Sequence, residues 1–119
     1  MQYSYTSSVP FETTHRAYYP GRCNLKHGHR FVLSATVRFD QMDKGIPRGT
    51  FYIDERLSAL AEEFDHRDLD DQLPVQSEMG FTVVQLAAYF WERLAGEFKN
   101  LYEVSVDDGS GACGTVTTS

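Results

Sequence analysis

Hydrophobic and polar residues alternate with period two over two long stretches of this chain. From Tyr3 to His15 the odd positions read Tyr, Tyr, Ser, Val, Phe, Thr, His. From His27 to Phe39 they read His, His, Phe, Leu, Ala, Val, Phe. Side chains two residues apart share a face of a strand, so each stretch predicts a β-strand with one mostly apolar face. Pro10 interrupts the first, which argues for an edge or a bulge there. "YYPGR" between them is a loop signal. Together the strands predict a wide antiparallel hairpin, with His15 across from the His27–His29 pair.

After the turn cluster "DKGIPRG" the period changes to 3.6. In "DERLSALAEEF", Leu57, Leu60, Ala61 and Phe64 follow helical spacing and Asp54 is a candidate N-cap. "DHRDLDDQLPVQSEMG" reads as a loop. "TVVQLAAYFWERLAGEF" predicts a second helix, with Thr82 and Gln85 at capping-box spacing. Its stripe of Val83, Leu86, Ala87, Phe90, Trp91, Leu94 and Phe98 reads as core. "LYEVSVDD" and "ACGTVTTS" predict two short strands around a Gly-rich turn. The order is ββααββ, one α+β domain over residues 1–119 with a four-stranded antiparallel sheet and two helices.

Composition narrows the function. A chain of 119 residues with 41% hydrophobic and 24% charged residues suits one globular core. A net charge of −6 argues against a general nucleic-acid surface. No apolar run is long enough to span a membrane, and residues 1–15 do not read as a signal peptide. The two cysteines, Cys23 and Cys113, imply no disulfide framework and a reducing cytoplasm. Between Thr13 and Phe39 there is no acid, but there are Arg16, Arg22, Lys26, Arg30 and Arg38. That stretch is either a solvated basic face or a seat for an anionic substrate such as a phosphate ester, with Arg16 and Lys26 as the candidate substrate-binding cations.

Chemistry concentrates in "RCNLKHGHRF". Three of the four histidines, His15, His27 and His29, converge in the hairpin. Three neutral imidazoles with an open position are the usual setting of a catalytic zinc, although copper, nickel and iron also accept imidazole. The plain alternative is a set of ordinary strand histidines. A cupin would carry a Glu soon after the second His, and "RFVLSATVRF" supplies none. A carbonic-anhydrase-like enzyme needs a longer chain. Cys23 is a fourth ligand, a base or nucleophile, or an incidental small residue. Asp65 precedes His66, and a carboxylate beside an imidazole fixes its tautomer.

"FETTH", "CNLKHGH", "GTFYID" and "FDHRDLDD", in this order and spacing, resemble the 6-pyruvoyl-tetrahydropterin synthase family across nearly the whole chain. The bacterial 6-carboxytetrahydropterin synthase branch, of the queuosine pathway, is the most similar. The resemblance implies the tunnelling fold, in which three subunits close a barrel and two trimers stack into a hexamer. It implies zinc on His15, His27 and His29, and catalysis by Cys23 with Asp65 and His66 as its partners. The implied substrate is 7,8-dihydroneopterin triphosphate, and the implied site lies at a subunit boundary.

The chain departs from the family where the pterin is held. The family opens its second helix with "PT-x-E"; here Phe81 and Val84 replace the Pro and Glu, and Thr82 remains. The family's third strand ends in "E-T"; here Asp108 and Gly109 follow "VSVD". Asp108 offers the same paired acceptor one methylene shorter, and Asp107 is its neighbour. The expectations are therefore a zinc-dependent lyase on a dihydropterin, the same scaffold on another pterin or purine-like substrate, or a non-catalytic zinc- or pterin-binding oligomer. Unguarded sheet edges also favour a homo-oligomer.

Overall fold

The computed structural model describes residues 1–15, 27–42, 50–68 and 82–118. Strand β1 (Tyr3–His15) pairs antiparallel with β2 (His27–Phe39) without a register break, from Tyr3 opposite Phe39 to His15 opposite His27. Odd residues face odd residues throughout, so the alternation of the sequence becomes two chemically different sheet faces. On the odd face Phe11, Phe31, Leu33, Ala35 and Val37 are buried. On the even face, hydroxyls pair across the strands: Thr6 with Thr36 and Ser8 with Ser34, both at 2.7 Å.

Helix α1 (Thr50–Glu62) lies over β1 and β2, and buries Ile53, Leu57, Leu60 and Ala61. Asp54 is not its N-cap. The helix opens at Thr50, about one turn earlier, and Asp54 faces β1. Its carboxylate accepts the Tyr5 hydroxyl at 3.0 and 3.1 Å and also the Ser7 hydroxyl. Donors on the strand thus outcompete a capping role. The bond to Asp54, then burial and the carboxylate charge, push the Tyr5 phenol above its ordinary value.

After α1 the chain turns into β3 (Arg67–Asp68), which pairs in parallel with Thr13 and Thr14 of β1. The loop expected from residue 65 onward is corrected at these two residues. The sequence offers no alternation over so short a piece. Helix α2 (Val83–Ala95) begins at the capping box expected of Thr82 and Gln85, with both reciprocal bonds present. It buries Val83, Leu86, Ala87, Phe90 and Leu94, while Trp91 is half-buried. Each such aliphatic or aromatic side chain contributes about 1.5–3 kcal/mol by leaving water. Strands β4 (Leu101–Asp107) and β5 (Cys113–Thr117) complete the order β3-β1-β2-β4-β5. The expected four antiparallel strands are therefore present, with β3 added at one edge. Among the described residues no helix is long and apolar enough to cross a membrane.

Helix α2 seats directly on β5. A side chain at Gly114 would overlap the backbone of Val83 and Val84, so only glycine permits this approach. Gly96, at the C-terminal end of α2, has open space around it. Gly114→Ala is expected to cost at least about 1–3 kcal/mol by overpacking. Its thermal midpoint should fall by several degrees, while Gly96→Ala stays near wild type. Equal midpoints for the two variants would contradict the close seating of α2.

Candidate active site

The end of the β1–β2 hairpin where β1 finishes and β2 begins carries the histidine positions. His15 lies opposite His27, and His29 lies opposite Thr13. Opposed residues share a sheet face, as do residues two apart, so positions 15, 27 and 29 fall together on the odd face. That much of the metal expectation concerns the backbone of these strands. Cys23, Arg16 and Lys26 lie outside the described residues, as does Phe81.

Thr13 is the meeting point of three strands. It opposes His29 on β2 and Arg67 on β3, and its buried side chain donates a hydrogen bond to the Arg67 carbonyl. The Asp65–His66 pair is thereby brought to the same end of the sheet as the histidine positions. Its support is aromatic. Phe64 is buried and meets Tyr89 and Phe90 edge to face at 5.9 and 5.6 Å. Phe90 in turn meets Phe11, which stacks on its cross-strand partner Phe31 at 5.4 Å. Edge-to-face contacts of this kind fix ring orientation as well as burying area.

Beyond Phe64 the backbone enters the left-handed region at His66, with φ 59°. A side chain at such a position is unfavourable unless its surroundings hold it. Glu12 of β1 supplies the hold. Its amide donates to Asp65 Oδ1 at 2.8 Å, and its carbonyl accepts the His66 amide at 2.5 Å. Asp65 Oδ2 lies 3.0 Å from His66 Nδ1. The imidazole edge carrying Nε2 faces the Glu12 carboxylate at 3.5 Å. Sequence reading found Asp65 and His66 but missed Glu12. Its only signal was its place inside "FETTH".

The faces differ. Glu12 and position 15 are three residues apart on one strand, so they fall on opposite faces of the sheet. The His66 ring, 74% exposed, meets the Glu12 face at the sheet edge.

Asp108 continues the inward alternation of Val104 and Val106 and is buried. Its Oδ1 accepts the Ser110 amide and hydroxyl, both at 2.8 Å, and the Ala112 amide at 3.3 Å. Gly109 (φ 77°) and Gly111 (φ 104°) let the turn close. Gly109 packs against the backbone carbonyl of Arg30, next to His29, so this turn also lies at the histidine end. Asp107 is exposed, and its Oδ1 accepts the Gly109 amide at 2.7 Å. The Thr82 hydroxyl accepts the Gln85 amide at 3.2 Å, a capping bond that would need no ligand. Val84 is 55% exposed on the first turn of α2.

The Glu12 amide beside Asp65, with a smaller contribution from His66, holds its carboxyl below the ordinary value of 3.8 against a partial cost of burial. A lowered folded value means that the clamp is fully stabilising above the ordinary carboxylate value. Its contribution is lost as pH falls through the folded value. Asp65→Asn should therefore flatten the fall of the thermal midpoint below about pH 4. An acid limb of unchanged slope would show that Asp65 does not couple to folding.

The comparisons with known proteins agree with this architecture. A family profile for 6-pyruvoyl tetrahydropterin synthase matches residues 5–118. A 6-pyruvoyl tetrahydrobiopterin synthase of Dictyostelium discoideum is 26% identical over 105 residues, covering 86% of this chain and 76% of that protein. The Caenorhabditis elegans 6-pyruvoyl tetrahydropterin synthase structure superposes with a TM-score of 0.80 at 19% identity, covering 100% of this chain and 97% of that one. A Plasmodium vivax 6-pyruvoyltetrahydropterin synthase structure gives 0.75 at 16% identity, covering 99% and 98%. The two structures share the fold with this chain.

Proposed function

Because the chain belongs to the 6-pyruvoyl tetrahydropterin synthase family, we propose that it is a cytoplasmic zinc-dependent lyase acting on 7,8-dihydroneopterin triphosphate. Its product is either pyruvoyl-tetrahydropterin or, after loss of acetaldehyde, the carboxytetrahydropterin of the queuosine branch. The observation that carries this reading is the hairpin register, which sets His15 against His27 with His29 two residues on. Three imidazoles on one strand face fit a catalytic zinc, and His15, His27 and His29 would hold it. Bound zinc would supply Lewis-acid polarisation of the substrate's side-chain hydroxyls.

The remaining chemistry belongs to the chain's own residues. Cys23, flanked in sequence by Arg22 and Lys26, would act as thiolate and remove the proton from the carbon beside the hydroxyl. His66 would carry a proton on the opposite face of the substrate. Asp65, 3.0 Å from Nδ1, is the positioning residue that sets the tautomer. Loss of triphosphate follows, with Arg16 and Lys26 as the cations that attract it. Asp108 and Thr82 would line the pterin end.

The His66 ring stands exposed at the sheet edge, where the site of a neighbouring subunit would meet it. The sheet supports such an assembly. Its hydroxyl-lined even face and its two edge strands suit closure into a barrel, and a hexamer of stacked trimers follows the family. A second reading keeps the scaffold and changes the substrate to another pterin or a purine-like ring. Exposed Val84 favours it, since an apolar side chain there offers a ligand no acceptor.

Purified protein should carry about one zinc per chain, and His27→Ala should lose it. Cys23→Ala should keep the metal and lose turnover of dihydroneopterin triphosphate, read as products by mass. Zinc retained in His27→Ala would refute the ligand set. Zinc lost from Cys23→Ala would make the thiolate a ligand. A zinc-loaded wild type that leaves the substrate intact would shift the reading to the alternative ring.

Chains carrying Cys23→Ala and chains carrying His66→Ala should each be inactive. Unfolded together and reassembled, they should regain a fraction of activity, because some shared sites inherit both groups. Confirmed mixed oligomers without recovery would rule out a shared site, and light scattering consistent with a monomer would remove its premise.

A further inference from the structure

Glu12 bonds directly to both members of the Asp65–His66 pair, beside the β1–β3 pairing at Thr13 and Thr14. Both backbone groups of Glu12 are used: the amide binds Asp65 Oδ1 at 2.8 Å, and the carbonyl takes the His66 amide at 2.5 Å. Those bonds hold the left-handed backbone of His66 in place. They would form with any side chain at position 12 except proline's. The Glu12 carboxylate adds something the backbone does not. It faces His66 Nε2 at 3.5 Å while Asp65 faces Nδ1 at 3.0 Å. A ring gripped at one nitrogen can still swing about that contact. A ring met by carboxylates at both edges has its plane defined.

We infer that Glu12 is a positioning residue, whose carboxylate holds the Nε2 edge of His66 in the orientation it presents at the sheet edge. The inference rests on the reading of His66 as a proton carrier for the site. An imidazole this exposed is not fixed by packing, so its orientation depends on polar partners. Among the described residues, the side chains facing it are Asp65 from the turn after α1 and Glu12 from β1. Arg30 on β2 stands opposite Glu12 in the register. A carboxylate offers acceptors only, so the Glu12 contact forms when Nε2 carries a proton to donate.

Glu12→Gln separates this role from a structural one, because it keeps size and both backbone bonds and removes the charge. The zinc-loaded oligomer, labelled with 15N at its four histidines, gives a ring spectrum in which His66→Ala identifies the His66 signals. In Glu12→Gln the His66 Nε2 signal should move. The other three histidines, the zinc content and the thermal midpoint should stay as in wild type. On dihydroneopterin triphosphate, kcat should fall roughly 10- to 100-fold with KM unchanged, as expected when a proton carrier is misaligned but substrate binding is not. Glu12→Asp, which restores a shorter carboxylate, should recover part of the loss. Unchanged His66 ring signals would overturn the inference, and so would a changed ring with unchanged kcat. If wild type itself fails to turn the pterin over while the ring signals respond, Glu12 still positions His66 and the pterin reading alone fails.

Discussion

The unbroken pairing of β1 with β2 is the constraint from which the rest of this structure follows. Thirteen residues of each strand oppose one another, and odd residues meet only odd residues. A slip by one residue would oppose the buried face of one strand to the uncovered face of the other, stranding Phe11, Leu33 or Val37 in water. The apolar face therefore locks the register, and the register fixes where positions 15, 27 and 29 meet. The candidate metal positions need no binding energy of their own to be brought together. Burial of Phe11 against Phe31 one pair further in already holds that end of the hairpin.

The candidate site is assembled from pieces that each have a structural duty. Phe64 locks the end of α1 into the aromatic cluster, so that the next two residues emerge at the sheet edge. Asp65 and His66 are then bound to β1 through Glu12. On the other flank, the β4–β5 turn closes on Asp108 and packs on Arg30. Helix α2 is pressed onto β5 at Gly114, which brings Thr82 to the same end. Three separate segments thus reach one end of the sheet, the usual way in which a scaffold presents chemistry.

The positions proposed for the pterin end illustrate how one side chain can carry two duties. Asp108, proposed above for the pterin end, has an Oδ1 that is also the acceptor around which its own turn is wound. Shortening the side chain by a methylene brings the carboxylate close enough to the local amides to form an Asx-type turn. Thr82 is likewise tied into the capping box of α2. Under the proposed function, recognition and local folding would share the same atoms here, so a variant at either position would perturb both.

The sequence alone determined the two long strands, the second helix with its capping box, both short C-terminal strands and the candidate chemistry of the His, Cys and Asp-His motifs. These features are written in local period, turn residues and motif spacing, which act over a few residues and survive without knowledge of the fold. Tertiary structure alone decided the rest. It took Asp54 from a capping role because Tyr5 and Ser7, nearly fifty residues away, offer it donors. It made Arg67 and Asp68 a strand because Thr13 and Thr14 expose an unpaired edge beside them. It gave Glu12 its importance, since a strand residue's neighbours across a sheet edge follow from how the chain returns and leave no trace in the local pattern.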